Sequence, residues 1–225
     1  MPGQQTFATA NGTRIITASL SIPLYGAPVC DLLIGSSDPL KTPVSVTFGN
    51  FTQVMGVYRQ GYFGGSQYAR LVGGYAGWRT TLQQQAYNNA GGLMLSLILG
   101  DAAAAVGEQI NIASDTSVGT FYVRENAPAQ RLLRQLGGPL WWIAPTGVTQ
   151  VGPRTSTGIT SPFLVETYDA AQGLYVISTE DYASWMPANT FSGPTLTTGV
   201  TNTISLTRLD VDNDGTLRLK VLGSP

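Results

Sequence analysis

The chain has 225 residues, enough to bury a real core as one large all-β domain or two small ones, and only 11% of its side chains are charged. An average soluble protein carries roughly 25%, so this surface is uncharged-polar or buried against other chains, a composition suited to permanent assembly. The net charge is −1, the basic residues are scattered from Arg14 to Lys220, and there is no histidine and a single cysteine, Cys30; nucleic-acid binding, His-based catalysis, thiolate metal clusters and an internal disulfide are all excluded on that inventory.

Met1–Gln5 has neither a basic nor an apolar stretch, so no secretory signal is expected. From Gly12 to Gly65 the text is strand-like: Arg14–Ile22, Pro28–Gly35, Pro43–Phe48 and Phe51–Tyr58, each ended by Gly, Pro, Asn or Asp-Pro. Alternation is plain in Val44-Ser45-Val46-Thr47-Phe48, and Cys30 sits in a short apolar run as a buried residue. The Gly/aromatic segment Gly61–Trp78 reads as tight bends, bulges or close backbone approach.

The period changes between Gln83 and Glu108. Leu93, Leu97 and Ala102–Ala105 fit a helix started near Asn88-Asn89 and broken at Gly100-Asp101. Gly91–Gly107, the longest apolar stretch, is interrupted by Asp101 and too short to span a bilayer. Gly119–Arg124 reads as a strand, and Ala127–Leu136 as a second helix with Asn126 as N-cap, Pro128 in the first turn and Gly137 as stop. Leu140–Gly152 reads as a hairpin turning at Pro145-Thr146-Gly147. Strands return at Phe163–Tyr168, Gly173–Ser178, Val200–Asp210 and Thr216–Leu222. The fold class is therefore mainly β with an α+β insertion: residues 1–82 and 156–225 are strand-rich units flanking residues 83–155.

Few constellations carry chemistry. Asp210, Asp212 and Asp214, with Gly215, match the first half of a calcium loop, but Val221 stands where the bidentate Glu belongs, and the same residues suit a tight hairpin. Gly73–Trp78 lacks the Lys-Ser/Thr of a phosphate loop. Glu166 with Asp169, and Glu180 with Asp181, are the close carboxylate pairs that glycoside hydrolysis would need, and adjacent strand residues point to opposite faces. No catalytic inventory emerges, so an enzyme is not expected. Tyr62, Phe63, Tyr68, Tyr75, Trp78, Trp141, Trp142 and Trp185 form either a sugar-stacking platform or a core and subunit interface. Tyr75 and Trp78, with the Trp141-Trp142 hairpin, are the candidate interface residues, because aromatic anchors dominate permanent contacts.

The order of motifs carries a resemblance. Arg14–Ile22 followed by Pro23-Leu24-Tyr25-Gly26, then Val57-Tyr58-Arg59-Gln60-Gly61, Leu71–Arg79, Tyr87-Asn88-Asn89, Asp101-Ala102-Ala103, Val106-Gly107-Glu108, Phe121 with Arg124, Leu132–Leu136, Trp141-Trp142, Pro145-Thr146-Gly147 and Val151-Gly152 together resemble a compact baseplate hub, or tail-tip hub, protein of long-tailed bacteriophages. The resemblance implies two small antiparallel β-barrels packed side by side with the insertion between them. Three copies would form a pseudo-sixfold ring at the tail tip, joining the tail tube to a threefold spike or fibre. The implied partners are the chain itself as a homotrimer and tube, distal tail and spike or fibre proteins, in a virion assembled in the host cytoplasm, with no cofactor. Larger hubs of that family carry extra domains whereas this sequence ends at Pro225, leaving a C-terminal extension and the barrel rim as alternative contacts to the spike. The rival reading is a carbohydrate-binding β module stabilised by calcium at Asp210, Asp212 and Asp214.

Overall fold

Alternating apolar and polar residues build the first part of the chain into antiparallel strands that close on themselves. A computed structural model describes residues 8–192 and 201–224; Met1–Gln5, Val200 and Pro225, on which parts of the sequence reading rest, lie outside the described residues. The strands are β1 (Ala8–Ala10), β2 (Thr13–Pro23), β3 (Val29–Ile34), β4 (Val44–Phe48), β5 (Phe51–Phe63) and β6 (Ser66–Gly73). They pair in the order β1-β4-β5-β6-β3-β2, and β1 also pairs with β2, which closes a six-stranded barrel. Cys30, Leu32 and Ile34 on β3 and Val44, Val46 and Phe48 on β4 all point inward, as their period of two requires.

Of the segment Gly61–Trp78, read as tight bends, bulges or close backbone approach, the part to Gly73 is the continuation of a long hairpin around one tight turn, and Gly77 makes a close backbone approach. Gly64 (φ 57°) and Gly65 (φ 81°) supply the positive φ values of a two-residue turn, and the aromatic residues beside them suit strands. One bulge interrupts the ladder between Val57 and Arg59.

The middle of the chain has a core of its own. It contains β7 (Thr81–Leu82), β8 (Gln85–Asn88), α1 (Leu95–Ala105), β9 (Ile110–Ile112), β10 (Phe121–Arg124), β11 (Ala127–Pro128), α2 (Ala129–Leu136), β12 (Trp141–Ile143) and β13 (Thr149–Val151). Leu93, Ile98, Leu99, Ala102, Leu132, Leu133 and Ile143 pack together there, joined by Trp78 and Leu82 from the 1–82 segment.

Both helices start later than the sequence suggests. Residues 85–88 are taken by β8, which pairs with β10, so α1 begins at Leu95 and not near Asn88-Asn89. Its first turn is capped from a distance: Asp115 accepts from Ser96 N at 2.9 Å and Ser96 Oγ at 2.5 Å. Gly100-Asp101 does not break it, because Gly100 faces open space and Asp101 is held from outside by Arg124 and Tyr87. Asn126 does not cap α2. Pro128 belongs to β11, and the carbonyl of Thr80 accepts the amide of Ala129 at 3.0 Å, while Gly137 ends the helix as expected. The β12–β13 hairpin turns through Pro145-Thr146-Gly147, and β13 also pairs in parallel with β9.

The remaining strands are β14 (Leu164–Asp169), β15 (Leu174–Ser178), β16 (Thr190–Phe191), β17 (Asn202–Val211) and β18 (Leu217–Ser224). They run β17-β18-β15-β14 beside the barrel, with β16 on β17. The two strand groups are joined by a backbone ladder from Leu206↔Pro23 to Val211↔Ala18, so one sheet runs from the barrel into the second group. Their apolar faces form one continuous core in which Leu20 and Phe48 share a cluster with Tyr175, Trp185, Phe191 and Leu219.

Candidate assembly surface

The loop Gly74–Trp78, between β6 and β7, is where the barrel meets the middle block, and its glycines are there for close approach. A Cβ on Gly56 of β5 would lie 2.2 Å from the carbonyl carbon of Tyr75, and one on Gly77 would lie 2.1 Å from the carbonyl oxygen of Val106. The buried carboxylate of Glu108 clamps the loop: Oε1 accepts from Tyr75 N at 3.0 Å and Gly77 N at 2.7 Å. Burial raises the Glu108 pKa above the ordinary glutamate value, and the backbone hydrogen bonds to its charged form oppose that rise.

The expected interface aromatics therefore separate. Trp78 and Trp141 are each only 4% exposed. Trp78 Nε1 donates to Thr149 Oγ1 at 2.7 Å, in a fully buried pair. Both indoles are core of the middle block, which has two short helices and needs large side chains to fill it. Tyr75 and Trp142 are half-buried. The Arg154 guanidinium lies 4.2 Å from the Trp142 ring and donates to the carbonyls of Leu24 at 2.8 Å and Pro23 at 3.2 Å, tying the Trp hairpin to the end of β2. Desolvation there lowers the Arg154 pKa to about 10.

Of the eight aromatics singled out in the sequence, those that face outward lie on the β5–β6 hairpin. Phe63 is 89% exposed at the tip, with Tyr62 and Tyr68 also exposed. Tyr68 donates to Asp31 at 2.9 Å, and Arg70 makes a two-pronged ion pair with the same carboxylate. Trp185, by contrast, is fully buried against Phe163 and Phe191. No sugar platform gathers the eight aromatics, because the tryptophans are spread over two interiors and a junction.

The carboxylates of the calcium-like run are held by protein groups. Asp210 accepts from Arg208 at 2.8 Å and Lys220 at 2.9 Å, Asp212 pairs with Arg218 at 3.1 Å, and Asp214 accepts from Thr216 N at 2.9 Å. Gly215 (φ 85°) completes the β17–β18 turn, so the run is a hairpin and the three side chains do not converge on a cation. Among the described residues no cluster of three potential ligands occurs. Glu166 and Asp169 both sit exposed on β14, where Asp169 accepts from Ala171 N and Gln172 N of the following turn. Asp181 is fastened by Ser161, Ser184 and Asn50, and these hydrogen bonds lower its pKa to about 2.

Two charged residues central to the architecture were not legible as such. Glu108 has no motif that marks it as the partner of the glycine loop. Arg124, 5% exposed, donates to Tyr87 Oη, Asp101, Gln85 and the carbonyl of Gln83, stitching α1 to the β8–β10 strand pair; a lone Arg ending a strand gives no sign of that.

No protein-family model matches the sequence, and no match to a curated protein is found. Solved structures do match over nearly the whole chain. A tail protein from Neisseria meningitidis aligns with a TM-score of 0.62 and 12% identity, covering 97% of this chain and 96% of its own. The 43 kDa tail protein of prophage MuSo2 from Shewanella oneidensis aligns at 0.59 and 10% identity, with the same two coverages, 97% and 96%. The chain has the tail-protein fold. The E. coli c3393 protein, a component of the type VI secretion system described as structurally similar to the T4 bacteriophage tail proteins gp27 and gp5, shares it at a TM-score of 0.64 and 9% identity, covering 97% of this chain and 76% of its own. Within the tail-protein fold, the barrel, the middle block and the second strand group are all part of the alignable frame.

Proposed function

We propose that this chain is a structural component of a phage-type tail, forming a trimeric hub ring at the tail tip that joins the tube to a threefold spike or fibre. The observation that carries the reading is the likeness to tail proteins over 97% of the chain. The arrangement of the strands supports it. Each chain places two strand groups side by side in one sheet, so three chains present six such groups, the number a sixfold tube requires. Low charge and exposed aromatics suit a surface that is covered in the assembled particle.

The chain works by assembly and symmetry matching, not catalysis. Its close carboxylate pairs support this: Asp169 and Asp181 are held by turns and hydroxyls. Its partners are a second and third copy and the tube, distal tail and spike or fibre proteins, met in the host cytoplasm during assembly.

Light scattering across a wide concentration range, followed by electron microscopy of the chain mixed with tail-tube protein, tests the reading. A species of three times the 23.8 kDa chain mass, seen as rings capping tubes, is the expected result. A monomer at every concentration, alone and with tube protein, would overturn it.

A further inference from the structure

Among the described residues the continuous sheet leaves two long strand edges unpaired. β4 leaves β5 at the pair Val44↔Met55, so beyond it the stretch Tyr58–Phe63 is paired only with β6 among the described residues. β14, six residues long, is likewise paired only with β15 among the described residues. In the barrel order β5 lies across from β2, three strands away by either route, and β14 is the outermost strand of the extension that leaves from β2. The two edges are thus at opposite ends of the sheet.

Both edges expose large apolar side chains. Tyr62 and Phe63 are 53% and 89% exposed, and Leu164 and Tyr168 are 64% and 50% exposed. Natural proteins blunt free edges with lysine, proline, bulges or a covering element; each edge here has one bulge, between Val57 and Arg59 and between Val165 and Thr167, but neither Tyr58–Phe63 nor Leu164–Asp169 contains lysine or proline. Their charges are opposite. Arg59 lies on the first edge, and Arg79 stacks beside it on Tyr58, 4.5 Å from the ring centroid. The second carries Glu166 and Asp169, both exposed. Among the described residues Arg59, Arg79 and Glu166 take part in no ion pair.

Like charges facing each other across a ladder destabilise it, so neither edge is suited to pair with itself. Unlike edges complement each other, and the occupant of each is a second copy of this chain. We infer that the β14 edge of one copy adds to the Tyr58–Phe63 edge of the next, extending the sheet from subunit to subunit in a head-to-tail contact. Such a contact closes into a ring when its rotation permits. The inference rests on the ring reading above and names the surfaces that build it.

The test is self-association of Arg59→Glu, Glu166→Arg and the double reversal, measured by light scattering, with thermal melts to check folding of these exposed-site variants. Each single reversal should weaken association about tenfold or more, since like-charge contacts at an interface cost several kcal/mol. The double reversal should restore it. Hydrogen exchange is the second measurement: amides of Tyr58–Phe63 and Leu164–Asp169 should slow together when the wild-type chain is concentrated. An oligomer that keeps its mass in both single variants, or whose edge amides exchange as in the monomer, overturns the edge pairing and leaves the ring standing. A wild-type chain that stays monomeric at all concentrations, alone and with tube protein, overturns both.

Discussion

Replacing Gly56 by alanine should be among the most damaging single-methyl changes in the chain. The added Cβ would meet three backbone atoms of the Tyr75–Ala76 peptide at 2.2, 2.4 and 2.5 Å, where no side chain can swing aside. Ordinary carbon contacts begin near ~3.4 Å, so the peptide must retreat by about 1 Å. Overpacking of this kind costs about 1–3 kcal/mol. Retreat also loosens the Glu108 clamp, whose hydrogen bonds to Tyr75 N and Gly77 N are 3.0 and 2.7 Å long. A buried amide left without its acceptor costs a further ~1–3 kcal/mol, giving a loss of about 2–6 kcal/mol in all. Gly61→Ala is the matched control: same strand, same added methyl, nothing within 4 Å and no positive φ. It should shift stability by less than about 0.5 kcal/mol. Urea denaturation of both variants beside wild type reads the difference directly. If the two variants unfold within about 1 kcal/mol of each other, the close approach of β5 to the glycine loop is not a stability constraint and the account of that junction fails.

Other consequences follow from the same contacts. Arg124→Leu should cost about 3–5 kcal/mol by chemical denaturation, because it strips Tyr87, Asp101 and Gln85 of a shared buried donor, and Arg124→Lys should lose less but still measurably; wild-type stability in the leucine variant would refute the network. Thr149→Val should orphan the Trp78 indole N–H and cost about 1–3 kcal/mol, while a cycle with Trp78→Phe should show a coupling of about 1 kcal/mol; strict additivity would count against the bond. Glu108 binds its proton more tightly folded than unfolded, so its contribution is greatest below the ordinary glutamate pKa and is lost as pH rises through the raised folded value. The stability of wild type minus that of Glu108→Gln should therefore fall as pH rises above the ordinary glutamate pKa; parallel pH profiles would exclude the burial cost.

Much of the strand layout was legible because a half-buried strand writes its period into the text, as Val44-Ser45-Val46-Thr47-Phe48 does in β4. Helix boundaries were not, since the groups that satisfy the first turns come from elsewhere: Asp115 reaches Ser96 from 19 positions away, and Thr80 lends its carbonyl to Ala129. Composition identified the tryptophans as structurally important but not which way they face. Trp78 and Trp141 point inward because the middle block fills its own core with them, and only neighbours distant in sequence decide that. The Asp210–Gly215 run shows a related limit. Its spacing serves a cation loop and a hairpin alike, and the deciding partners, Arg208, Arg218 and Lys220, are ordinary strand residues. The junction between barrel and extension was invisible for a simpler reason: alternation fixes which face a residue takes, not which strand lies beside it.

That junction has a bearing on how the chain reaches its native state. Ile22 of β2 waits for Thr207 of β17, almost the whole length of the protein later. During synthesis the six barrel strands can gather early, yet the outer side of β2 stays bare until the ribosome has delivered β17. A nascent chain stalled or cut before that point would display a long, pairing-competent β-strand to its neighbours, whether on the same polysome or in the cytosol. A chain terminated between Phe191 and Asn202 should thus yield aggregates instead of shortened soluble protein, and expression should benefit from whatever shields nascent strands until β17 arrives.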